Sequence, residues 1–120
     1  MSEVRHFKAG EVRFESFGGP PGEARIARLV GPELSQTMGA GVAVFDGCSI
    51  EWTLLYDEVI VVLEGLFRLR YGASHEHMIE ARPGDVIWLP DKTPLKYEGE
   101  AAKVFYVLDP VDWRKRHGLD

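Results

Sequence analysis

The stretch Ile50-Glu51-Trp52-Thr53-Leu54-Leu55-Tyr56-Asp57-Glu58-Val59-Ile60-Val61-Val62-Leu63-Glu64-Gly65-Leu66-Phe67-Arg68-Leu69-Arg70-Tyr71 decides the fold. Ile50 to Leu55 and Val59 to Leu63 are dense in β-branched and apolar side chains, which suit a pleated, half-buried surface. After Gly65 the run alternates, with Phe67, Leu69 and Tyr71 on one face and Arg68 and Arg70 on the other. A period of two marks a strand with one wet face. Three short strands in a row point to an all-β domain.

The same texture continues outward. Thirteen glycines and seven prolines cut the chain into short pieces. Upstream, residues 11–17 and Ala24 to Val30 read as strands around the loop Gly18-Gly19-Pro20-Pro21-Gly22, although Arg25 and Arg28 interrupt the alternation of the second. Met38 to Phe45 follows and ends at Asp46-Gly47, a turn pair tolerant of positive φ. Downstream, Gly72 to Glu76 reads as a hairpin tip and Met78 to Ala81 as its return. Pro83-Gly84 suits a type II turn. Val86 to Leu89, Leu95 to Tyr97 and Lys103 to Leu108 complete about ten expected strands. Asp109 then offers an N-cap, with Pro110 at the first helical position. A short helix over 109–117 is expected, its basic end Arg114-Lys115-Arg116-His117 solvated and Trp113 packed back onto the strands.

Bulk properties narrow the function. The 120 residues amount to one domain, 1–120, with strands over 1–37 leading into a barrel core at about 38–109. The net charge of -5 and the lack of a basic strand or helix face argue against nucleic acid. The lone cysteine, Cys48, fits a reducing cytoplasm. The polar start, Met1-Ser2-Glu3-Val4-Arg5-His6, has no apolar core of a signal peptide, and no apolar run is long enough to span a membrane.

Two spacings carry a family resemblance. Glu58 is followed by six residues and Gly65; Pro83-Gly84 is followed by five residues and Pro90. These scaffold positions resemble the two motifs of the cupins, RmlC-like jelly-roll barrels (double-stranded β-helices), over roughly residues 38–113. The histidines that bind metal in many cupins are absent. Their first-motif positions fall on Trp52 and Leu54, and the second-motif histidine falls at about Leu95, after Lys92 at the glycine position. Met38-Gly39-Ala40-Gly41, Trp52-Thr53-Leu54, Tyr56-Asp57-Glu58, Val62-Leu63-Glu64-Gly65, Gly84-Asp85-Val86-Ile87 and Phe105-Tyr106-Val107 resemble the cupin domain of the ethanolamine-utilisation protein EutQ, a group that also lacks those histidines. The resemblance implies a link to ethanolamine or related small-amine and acetyl-phosphate metabolism. A EutQ has been described as an acetate kinase, although no phosphate-cradling glycine-rich motif stands in this chain.

The candidate site centres on Glu58, the one motif ligand position still able to do chemistry. Strand parity puts Trp52, Leu54, Tyr56 and Glu58 on the barrel interior. Tyr97 and Tyr106 are added as polar-tipped aromatics of the same pocket. A carboxyl among aromatic rings would be pushed toward neutrality by desolvation. It would act as a general acid or base, or anchor a ligand's ammonium or hydroxyl. The bland alternative is a structural glutamate paired with a tyrosine or lysine. Lys96 has the wrong parity for the interior. His75 and His77, at a hairpin tip, are not expected to hold metal, and no metal or cofactor is expected. Three readings follow: a binding protein for a small-molecule ligand, a metal-independent isomerase, lyase or acetate-kinase-type enzyme using Glu58, and a metal-dependent dioxygenase-type cupin. Val59 to Leu63 is apolar on both faces, so a second subunit is expected over the outer one, giving a homodimer.

Overall fold

A computed structural model describes residues 3–119; Met1, Ser2 and Asp120, part of the expected 1–120 domain, lie outside the described residues. After a 3-10 turn at Ala9–Glu11 come eight strands: β1 (Glu15–Gly18), β2 (Glu23–Val30), β3 (Gly39–Asp46), β4 (Ser49–Thr53), β5 (Asp57–Tyr71), β6 (His77–Ala81), β7 (Val86–Leu89) and β8 (Pro94–Asp109). One helical turn, α1 (Trp113–Arg116), ends the chain. The strands run in the order β1-β2-β3-β8-β5-β6, with β4 added to β8 and β7 added to β5. Every pairing is antiparallel.

Two long strands replace four expected short ones. Val59 to Leu63 and Leu66 to Tyr71 are halves of β5, and Leu95 to Tyr97 and Lys103 to Leu108 are halves of β8. Gly65 does not end a strand. It sits at φ 72° in a bulge, where the β5–β8 register shifts between Val62 and Leu66, opposite Ala101 at φ 47°. A Cβ on Gly65 would overlap the Ala101 carbonyl, so the two backbones approach as only glycine permits. The bulge bends both strands. Their halves then belong to two walls: residues 57–62 of β5 and 102–109 of β8, the outer halves, lie with β2, β3 and β7, and residues 66–71 and 94–99, the inner halves, lie with β4 and β6.

The core fills the space between the walls. Phe45 of β3 lies 5.6 Å from Phe67 of β5 and stacks at 5.4 Å on Tyr97 of β8. Phe67 and Leu69 are fully buried, as their alternation required. Arg68 and Arg70 face out and pair with Glu80, Glu100 and Glu98. The Pro83-Gly84 turn forms as expected, with the Asp85 N–H donating to the Arg82 carbonyl at 2.9 Å.

Two boundaries differ from expectation. Residues 11–17 are not one strand: the 3-10 turn takes the first of them and β1 begins only at Glu15. The helix begins at Trp113 instead of Pro110. The Val111 N–H donates to the Thr37 carbonyl at 2.9 Å and its side chain is buried, which pins residues 110–112 against the barrel. Asp112, not Asp109, flanks the turn and accepts from Arg116 Nε at 2.7 Å.

Candidate functional site

One end of the barrel opens into a cavity of about 520 Å³. Its apolar lining includes Ile26 of β2, Phe45 of β3, and Val104 and Leu108 of β8. The polar groups converge at Glu58, in the outer half of β5. Glu58 is 5% exposed and is the buried charged residue of the core. Its Oε1 accepts from the Tyr97 hydroxyl at 2.7 Å. The Tyr56 hydroxyl stands beside Tyr97 and accepts from Trp52 Nε1 at 3.3 Å. Tyr106 lines the same cavity, its ring lying over Gly41, the residue it faces across the β3–β8 ladder. A side chain on Gly41 would collide with the Tyr106 hydroxyl.

Desolvation governs the electrostatics. Burial pushes the Glu58 carboxyl up to about 7, with the Tyr97 hydrogen bond pulling the other way. Burial pushes the phenols up too, with the Glu58 charge adding to it: Tyr106 to about 12, Tyr56 further, and Tyr97 well above the ordinary phenol value. Near neutrality the site therefore holds three protonated phenols and a carboxyl divided between its two forms. Such a carboxyl is suited to give or take a proton, and its Oε2 has no hydrogen-bond partner among the described residues.

The sequence reading named most of these residues, although the single strand it assumed is broken between β4 and β5, with Tyr56 in the bend between them. Trp52, Tyr56, Glu58, Tyr97 and Tyr106 all line the cavity. Leu54 does not. It is fully buried in the core, clasped by its backbone to the Lys92–Thr93 turn, and Leu95 is buried the same way. Three cationic lining residues escaped the sequence reading. Arg28 shares parity with Ile26 and Val30, a signal masked by Arg25. Arg114 and Lys115 reach the mouth because α1 folds over it: Trp113 lies 5.9 Å from Trp52 and 5.1 Å from Tyr56.

The usual cupin metal finds no donor set here. No three His, Cys, Asp or Glu side chains cluster among the described residues. A divalent ion in such a site needs about four N or O ligands, and the neighbours of Glu58 are phenols and apolar side chains. His75 and His77 lie on the β5–β6 hairpin, where His77 stacks on Tyr71 at 5.0 Å, and neither lines the cavity.

The family described as ethanolamine utilisation protein EutQ matches residues 5–115. This chain belongs to the EutQ family. The acetate kinase EutQ of Salmonella typhimurium is 31% identical over 92% of this chain and 48% of that protein. The chain thus spans about half the length of the curated EutQ relatives it matches. A crystal structure of ethanolamine utilization protein Q from Salmonella typhimurium LT2 superposes with a TM-score of 0.80 at 28% identity, covering 90% of this chain and 87% of that one. An RmlC-like cupin from Shewanella frigidimarina gives 0.69 at 17% identity, over 92% and 95% of the two chains, and shows the shared fold. The EutQ-type barrel is therefore a cupin double-stranded β-helix, as the family resemblance implied.

Proposed function

We propose that this EutQ-like cupin binds a small organic metabolite in the cavity around Glu58, without the three-histidine metal site. One observation carries the reading: the Glu58–Tyr97 pair is buried yet stands on the wall of an open cavity instead of inside packed core. A carboxyl held near neutrality costs stability, and a packed apolar residue would avoid that cost. A thermal-shift screen of amines, acetate, acetyl phosphate and nucleotides tests it. Saturable stabilisation that is lost in Glu58→Gln is expected. Stabilisation by none of them, or equal stabilisation of the variant, would sink the role of Glu58.

The pKa of Glu58 favours a second reading, turnover with Glu58 as acid or base. Acyl-phosphate chemistry is the first to test, because curated relatives carry the name acetate kinase. Acetate with ATP, and acetyl phosphate with ADP, are the assays. Wild-type turnover abolished in a normally folded Glu58→Gln would establish the role; full activity in the variant would remove it. The ethanolamine setting and a cytoplasmic location are parts of the same proposal.

We also propose a homodimer. Val59 and Val61 of β5 sit beside Trp88 and Val86 of the edge strand β7, and Val86 and Trp88 are 65% and 60% exposed on the outer wall. Such a strip is its own complement, as a two-fold interface requires.

A further inference from the structure

If the cavity is a ligand site, its size and charge say what class of ligand it takes. Its volume of about 520 Å³ falls in the range of roughly 300–1,000 Å³ that receives drug-sized molecules. A two-carbon acid or amine displaces only two or three waters, each about 30 Å³, and would leave most of that space wet against apolar walls. The walls that need covering are Ile26, Phe45, Ile60, Val104 and Leu108.

The polar groups are divided between two ends. Inside, beside Glu58, the Tyr106 hydroxyl makes no hydrogen bond among the described residues although Tyr106 is only 8% exposed. At the mouth stand Arg28, Arg114 and Lys115, against the carboxylates Glu51 and Asp112. Asp112 is bound to Arg116 and Arg28 to Glu15. Arg114, Lys115 and Glu51 have no ion-pair partner among the described residues, so the rim holds two unpaired cations against one unpaired carboxylate and leans cationic. The Arg114 guanidinium lies 4.8 Å from the centre of the Trp113 ring, which sets a fixed positive charge against the aromatic group that would otherwise welcome an ammonium. The Arg28 charge reaches the cavity wall too, since it acts to lower the Tyr106 phenol against its burial.

We infer that the cavity takes a bulky organic anion: an aromatic or polycyclic body against the apolar walls, an acidic group facing Arg28, Arg114 and Lys115, and a hydroxyl or carbonyl meeting Tyr106. This rests on the cavity being the ligand site, and it differs from a two-carbon substrate.

Fluorescence titration with two dyes tests it: the anionic anilinonaphthalene sulfonate and its neutral counterpart phenylnaphthylamine. The Trp88→Phe background leaves Trp52 and Trp113, both at the mouth, as the only tryptophans. The expected result is one anionic dye per chain, bound at least tenfold more tightly than the neutral one, with quenching of tryptophan emission. Arg28→Gln, Arg114→Gln and Lys115→Gln together should erase that preference and leave the neutral dye within twofold. Ile26→Trp, which plugs the cavity, should weaken both dyes. Equal affinities, unchanged by the triple substitution, would overturn the anionic rim. Dye binding without tryptophan quenching would overturn the location, with no wall residue altered. Saturable stabilisation by acetate, acetyl phosphate or ethanolamine with no dye binding would overturn the size inference and leave the ligand site standing. No binding of any probe, large or small, would remove both.

Discussion

Tyr56, Asp57 and Glu58 are neighbours with three different tasks. Tyr56 takes the Trp52 indole hydrogen bond at the cavity wall. Asp57 points outward and accepts the Asp91 N–H at 2.8 Å, clasping the turn before β8. Glu58 points inward to Tyr97. Its raised pKa has a defined stability consequence. A carboxyl that holds its proton more tightly folded than unfolded makes stability fall as pH rises from about 4.5, the unfolded value, to about 7. Below that window it costs nothing; above it the full cost applies, roughly 3 kcal/mol at ~1.4 kcal/mol per unit. Glu58→Gln keeps an acceptor for Tyr97 and has no charge to bury. It should match the wild type in denaturant melts at pH 4 and exceed it at pH 8. A gap that is absent at pH 8, or that shrinks as pH rises, would contradict the buried carboxyl. The groups facing Glu58 are the Tyr97, Tyr56 and Tyr106 phenols, with Arg28 beyond Tyr106, and none of the phenols titrates in this window. Tyr97→Phe removes the one hydrogen bond that favours the carboxylate, so infrared titration should place the Glu58 midpoint above its wild-type position.

At the scale of elements, the bulge at Gly65 makes a barrel out of one long antiparallel strand pair, β5 with β8. Gly65→Ala must hold an alanine at positive φ against the Ala101 carbonyl. A loss of about 1–3 kcal/mol is expected in urea unfolding; a change under 0.5 kcal/mol would show that the two strands bend without it. This also explains what the sequence left hidden. Alternation from Phe67 to Tyr71 was plain because one wall is wet. Gly65 read as a stop because a bulge and a turn ask the same thing of one residue, and only the partner strand tells them apart. The start of α1 was hidden for a similar reason. Asp109-Pro110 is a sound local helix start, but the bond from Val111 to Thr37 joins segments far apart in the chain. The same folding-back brings Arg114 and Lys115 to the cavity, whereas in sequence they are an ordinary basic helix end.

For the whole molecule, the site was legible where its residues are close in sequence and hidden where it depended on closure. Trp52, Tyr56 and Glu58 were found together although they stand on β4, the bend after it and β5, not on one strand. Arg28 needed the pairing of β2 with β3, and of β3 with β8, to be placed across Gly41 from Tyr106. The outer wall makes its own prediction. Light scattering at micromolar concentration should give twice the chain mass, and Trp88→Glu should halve it while leaving a cooperatively folded chain whose melting temperature no longer depends on concentration. A wild-type monomer would refute the dimer.

The near-neutral midpoint of Glu58 gives the cavity its own proton inventory. Any occupant that changes the surroundings of that carboxyl must exchange protons with the buffer. An apolar anion drying the pocket would draw protons in at pH 7, whereas an ammonium resting on the carboxylate would drive them out. Calorimetric titrations in buffers of different ionisation heat would then separate an occupant that dries the carboxyl from a cation that pairs with it.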